Sequence, residues 1–187
     1  MATACEQNID RLHVRLMFQD EARFGRMSDP RKCWAPAHCR PVVGLALIRE
    51  FVYTYAAVSP GDGCLDYWTA PKMNTEHMNQ FLVQVRTVHP EEFIIMILDG
   101  ASSHKSKDLK IPEHMVLIKL PPYSPELNPT ELVWNELREK EFANRVFDSL
   151  DAVVSQLESG LTTLAANKTT MKKLTCWPWI YDSLNAI

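Results

Sequence analysis

The sequence predicts an α/β domain built on a mixed sheet of about five strands, the first three antiparallel and the later ones parallel, flanked by helices. Three observations predict it. Strand-like segments crowd the first 70 residues and meet at a turn, S-P-G-D-G, at 59–63. From residue 74 onward, stretches of helical period alternate with short apolar runs. The chain is 187 residues long, 46% hydrophobic and 23% charged, the size and balance of one soluble domain with a full core.

Each element has its own signal. Residues 1–10 are expected to be loose, and 12–18 begin with apolar/polar alternation, a first strand. Residues 21–40 read as loop, with Gly25, Pro30, Pro36 and many charges. Residues 51–58, aromatic and β-branched, and 64–68 form a hairpin across the turn at 59–63, where glycine supplies positive φ. Asn74 caps a helix to about residue 88, since Met78, Phe81, Leu82 and Val85 repeat at helical spacing. Residues 93–98 are continuously apolar, as in a central strand covered on both faces. Residues 100–112 are polar with a helical turn, and 115–120 form another strand. Asn128 suits the N-cap and Pro129 the first position of the next helix. Leu150, Val153, Val154, Leu157, Leu161 and Leu164 make an amphipathic helix with Asp148 as its cap. The tail from Thr169 is basic and then aromatic. The order is β-β-β-α-β-α-β-α-α in a single domain, 1–187.

Composition narrows the function classes. The longest apolar run, 93–98, is too short to span a bilayer, and the N-terminus lacks the apolar core of a secretory signal. A cytosolic protein without membrane partners is expected. Five cysteines, an odd number without regular spacing, favour free thiols. Cys33, His38 and Cys39 resemble a zinc knuckle but lack a fourth ligand, so they read as loop residues. The net charge of −3 does not advertise nucleic-acid binding, but positive charge is concentrated locally. Arg23, Arg26, Arg31, Lys32 and Arg40 follow Asp20, and Lys105, Lys107 and Lys110 follow Asp99.

Those two aspartates belong to a pattern. V-R-L-M-F-Q-D at 14–20 ends on Asp20, I-L-D-G-A-S-S-H at 97–104 carries Asp99, and L-P-P-Y-S-P-E-L-N-P-T-E-L-V-W at 120–134 carries Glu131. Asp20 is read as following a strand and Asp99 as ending the buried one, where ligand sites of open α/β sheets gather. Taken singly, each acid has a structural alternative. Asp20 suits a turn, and its neighbour Glu21 competes for the same role, although alternation lets only one of the two face a site. Glu131 sits where a capping box would use it, and Glu126 is a rival. His104 reads as phosphate contact, proton carrier or surface residue. Trp134 reads as core rather than a base-stacking platform. Taken together, three carboxylates from separate elements suit divalent cations and in-line phosphoryl displacement.

F-Q-D-E-A-R-F-G (18–25), I-L-D-G-A-S-S-H-K-S (97–106) and the proline-rich block at 120–134 resemble the catalytic domain of bacterial mariner-type insertion-sequence transposases. The blocks at 32–36, 57–63 and 144–150 share the resemblance, which covers nearly all the chain from Leu12. It implies an RNase H-like fold and a DDE triad of Asp20, Asp99 and Glu131, which favours Glu131 over Glu126. It also implies Mg²⁺, with Mn²⁺ as a substitute; two ions are expected for in-line phosphoryl displacement, and Arg23, His104 and Lys105 are the expected phosphate contacts. The implied reaction is hydrolysis at transposon ends followed by attack of the freed 3′-hydroxyl on target DNA, usually at a TA dinucleotide, by a homodimer at the nucleoid. Only nineteen residues precede Asp20, so the upstream helix-turn-helix domains of such proteins are expected on a separate subunit or an upstream segment. The competing expectations are a non-catalytic remnant that binds DNA or a partner subunit, and a plain RNase H-like nuclease.

Overall fold

The computed structural model describes residues 13–99 and 108–184. Its strands are β1 (His13–Met27), β2 (Leu47–Ser59), β3 (Cys64–Ala70), β4 (Glu92–Leu98) and β5 (Met115–Lys119). Its helices are α1 (Thr75–Val88), α2 (Thr130–Leu137), α3 (Leu150–Ala166), α4 (Lys168–Thr175) and α5 (Pro178–Leu184). The strands form one sheet in the order β3-β2-β1-β4-β5. Pairing is antiparallel among β1, β2 and β3, and parallel from β1 to β4 and from β4 to β5. The mixed sheet predicted from the sequence is therefore the one observed, and its order is that of an RNase H-like fold.

Strand alternation divides the core into two layers. Met17, Tyr55, Ala57, Ile94, Met96 and Leu98 face α1, where they meet Met78, Phe81, Leu82 and Val85. Leu16, Phe18, Ala22, Phe24, Ala56 and Val58 face the opposite side, against Val133, Trp134 and Leu137 of α2 and Val153, Leu157 and Leu161 of α3. Met171 and Ile180 bring α4 and α5 onto the same layer, so the basic and aromatic tail is folded onto the core.

β1 departs most from expectation. Residues 21–27, predicted as loop, continue the strand. Phe18 through Gly25 pair with Val58 through Phe51, and burial of Ala22 and Phe24 continues the inward alternation despite the surrounding charges. Gly25 marks a close approach rather than a loop: a Cβ there would lie 2.3 Å from the Glu50 carbonyl. The register then slips between Gly25 and Met27. Asp20 consequently sits inside a strand instead of following one.

β2 also starts earlier than predicted, at Leu47. The hairpin turn is as expected: Gly63 has φ of 74° and donates its N–H to the Ser59 carbonyl at 2.8 Å. Asn74 caps α1 by accepting from His77 N. The α3 cap is Ser149 rather than Asp148, because Ser149 Oγ accepts from Ala152 N at 3.1 Å. Most of the helical turn predicted within 100–112 lies outside the described residues.

Candidate active site

The sheet itself brings Asp20 and Asp99 together. β1 and β4 run parallel, and their last pair is Phe18 with Ile97. Carried two residues further, that register sets Asp20 beside Asp99, the residue that follows β4. Alternation directs Asp20, like Phe18 and Ala22, toward the α2 layer. Glu21 has the opposite parity and pairs with Tyr55, which lies in the α1 layer. Of these two neighbouring acids, Asp20 is the one aligned with the cleft.

Glu131 arrives by a different route. The segment 120–129 crosses the end of the sheet with a short 3-10 turn, Pro125–Leu127, before α2 begins. Two buried side chains dock the start of α2 on β1 where β4 has run out. Thr130 Oγ1 donates to the Phe18 carbonyl at 2.8 Å, and Asn128 Nδ2 donates to the Gln19 carbonyl at 3.1 Å. Pro129 holds the N-cap position, one residue later than predicted, while Asn128 Oδ1 still accepts from Thr130 N at 3.2 Å. The Asn128 N–H is already donated to the Pro125 carbonyl at 2.9 Å. A capping box would need that N–H for the Glu131 carboxylate. Glu131 is thereby left available to the cleft, and Glu126 lies exposed outside it.

The result is a cleft of about 420 Å³ lined by Asp20, Asp99, Asn128, Glu131 and the wall Leu120–Pro125. Asp20 is buried, Glu131 half-buried and Asp99 exposed. Asp20 Oδ2 accepts from the indole Nε1 of buried Trp134 at 3.0 Å, a contact one helical turn beyond Glu131. Burial, then the nearby Glu131 charge, pushes the Asp20 carboxyl up to about 7, while the Trp134 hydrogen bond pulls the other way.

The remaining sequence candidates lie elsewhere. Arg23 is exposed on β1 with its guanidinium 4.3 Å from the centre of the Phe51 ring, outside the cleft. His104 and Lys105 lie outside the described residues. Cys33, His38 and Cys39 are all exposed and do not converge. Sequence reading missed the anchoring roles of Asn128 and Thr130 and the Trp134 contact with Asp20. An available signal for the last was chemical: a tryptophan assigned to the core needs an acceptor for its N–H.

The fold and the cleft define a class, an RNase H-like domain with carboxylates gathered beside the carboxyl end of β4. Residues 15–154 match the family described as DDE superfamily endonuclease, and the chain belongs to that family. Over 106 residues it is 37% identical to the uncharacterized protein y4pE/y4sA of Sinorhizobium fredii, covering 56% of this chain and 78% of the relative. Among solved structures it resembles the Mos1 transposase paired-end complex with left transposon end, with a TM-score of 0.58 at 17% identity. That match covers 91% of this chain and 60% of the Mos1 chain. It also resembles the Mos1 mariner paired-end complex with Mn, with a TM-score of 0.61 at 16% identity over 92% of this chain and 58% of that one. The chain thus spans about three-fifths of the Mos1 transposase it resembles. Among the described residues, no helix is long and apolar enough to cross a membrane.

Proposed function

We propose that this chain is the catalytic domain of a transposase, cutting phosphodiester bonds at transposon ends and joining the freed 3′-hydroxyl to target DNA. The observation that carries the proposal is the cleft of Asp20, Asp99 and Glu131 in a chain of the DDE endonuclease family. Its donor set fits hard divalent cations, since all three groups offer carboxylate oxygen. The raised Asp20 carboxyl fits too, because a buried acid beside another anion is the group a cation would relieve. Asp20, Asp99 and Glu131 would hold Mg²⁺ or Mn²⁺, as two ions. When bound, such ions activate the attacking oxygen and stabilise the leaving one.

The chain's own side chains prepare that site. Trp134 fixes one oxygen of Asp20, and Asn128 with Thr130 locks the Glu131 helix to the strand that carries Asp20. Rigid support of this kind holds ligands in place before substrate arrives. Arg23, His104 and Lys105 are assigned to DNA phosphates, contacts that position the duplex without reading its sequence. Action as a homodimer is supported by the 28–46 excursion, which exposes Trp34, Val42 and Leu45 beside Arg31, Lys32 and Arg40. End recognition is assigned to a helix-turn-helix segment or subunit, the target to TA dinucleotides and the working location to the nucleoid.

The test is strand transfer with precut transposon ends, with and without a helix-turn-helix partner supplied. Joined products that require Mg²⁺ or Mn²⁺ support the proposal. Cutting without joining would instead assign a plain nuclease.

A further inference from the structure

Far from the acid cleft, three side chains of unlike chemistry converge. Cys64 and Asp66 lie at the start of β3, and His89 lies in the bend between α1 and β4. One ligating atom from each falls within 4.8 Å of the other two, the only such group among the described residues. Asp66 and His89 are buried and Cys64 is partly so. The seven residues of β4 separate this cluster from Asp99, about 20 Å of extended chain, so it cannot share the cleft's ions.

We propose that Cys64, Asp66 and His89 form a zinc site that clips the β2–β3 hairpin to the junction of α1 and β4. Thiolate, imidazole and carboxylate together are zinc's donor types, whereas Mg²⁺ takes oxygen. The histidine is oriented as metal-bound histidines are. Its Nδ1 lies 3.1 Å from Glu92 Oε2, and Arg15 grips that carboxylate at 2.5 and 3.0 Å. This second layer leaves Nε2 directed at Asp66 Oδ2, 2.7 Å away, with the Cys64 thiol close by. Arg15 also binds Asp62 at 3.0 Å, so its charge is matched by two carboxylates, and the neighbouring Arg86 is taken up by the carbonyls of His89, Pro90 and Glu92. Zinc would open the short histidine–aspartate contact and stand between the two groups. Three protein ligands leave one position for water. Binding needs the thiolate and the neutral ring, so zinc enters as protons leave.

The experiment uses the full chain under reducing conditions, with cobalt as a visible stand-in for zinc. The expected result is one thiolate-to-cobalt charge-transfer band that zinc abolishes and excess Mg²⁺ leaves unchanged. Cys64→Ser should remove the band, while the double variant Cys33→Ser/Cys39→Ser should keep it. Glu92→Gln should keep the band but weaken zinc affinity by about 10- to 100-fold in competition with a chelator, the usual effect of losing such a support. Absence of the band in the folded wild-type chain, or its persistence in Cys64→Ser, would overturn the proposal. Circular dichroism on each variant separates lost binding from lost fold.

Discussion

The two ends of the sheet handle buried charge in opposite ways. At the carboxyl end of β4, Asp20 and Glu131 face each other across a cleft with Asp99 at its rim, and the Asp20 carboxyl rises to about 7. At the other end, each carboxylate meets a cation. Hydrogen bonding to Arg15 holds Glu92 below its ordinary value. Asp62 is lowered as well: burial opposes the shift, but the Cys64 N–H and Arg15 outweigh it. His89, hydrogen-bonded to Asp66, rises to about 9. Carboxylates are therefore paired with cations at one end, while at the other burial and a neighbouring anion raise the Asp20 carboxyl. The paired end suits a clip that holds the hairpin in place, and the raised Asp20 carboxyl suits a site for hard divalent cations.

The largest effect should come from the cleft. Asp99→Asn keeps the size of an exposed side chain, so the fold should persist while metal-dependent DNA cleavage falls by about a thousandfold, the scale of losing a key electrostatic stabiliser. Cleavage assays alongside thermal melts would check both halves of that expectation.

Next in size is the opposite end. In zinc-free buffer, His89→Gln strips buried Asp66 of its partner and should cost about 3 kcal/mol, as for a broken buried pair. Urea unfolding at pH 7 reads this directly. The pH dependence has a definite sign. The His89 carboxylate partnership is complete below its ordinary pKa of 6.5 and is lost as pH rises through about 9. The Glu92 and Asp62 contributions run the other way, present at neutral pH and lost in acid.

Asp20 should reverse the usual consequence of deleting a charge. Because its folded carboxyl sits near 7 against an ordinary 3.8, the stability linked to its protonation is complete below 3.8 and lost as pH rises through 7. At pH 8 without divalent ions, Asp20→Asn should therefore stabilise the chain, by about 2 kcal/mol. Added Mg²⁺ should narrow the gap by stabilising the wild type alone, which melting curves with and without the ion would reveal.

The smallest effect is expected from Trp134→Phe. It removes the hydrogen bond that holds Asp20 down and should raise that carboxyl further, at a cost of about 1–2 kcal/mol at pH 8. Carbon-13 NMR titration of the Asp20 carboxyl would measure the shift, and an unchanged titration would remove Trp134 from the site's electrostatics.

The contrast between the two ends also explains what the sequence disclosed. The acid cleft was legible because its members sit in dense local blocks: Asp99 closes a continuous apolar strand, and Glu131 follows the N-P-T start of a helix. The sheet was legible from alternation and from the glycine turn at Gly63. The far end of β1 was not, since Glu21, Arg23 and Arg26 mask the buried pair Ala22 and Phe24, and only pairing with β2 makes that stretch a strand. The network of Arg15, Asp62, Cys64, Asp66, His89 and Glu92 was invisible for another reason. Its residues are scattered over three strands and two of the turns that connect them and meet only when the sheet assembles, so no spacing announces them.

The most direct test of the central claim, that the three acids form a divalent-cation site, needs no DNA. Mn²⁺ binding to the folded chain can be followed by electron paramagnetic resonance, with Asp20→Asn, Asp99→Asn and Glu131→Gln compared against the wild type. The expected result is saturable Mn²⁺ binding that Mg²⁺ competes away and that each substitution weakens. Undiminished binding in all three variants would contradict it.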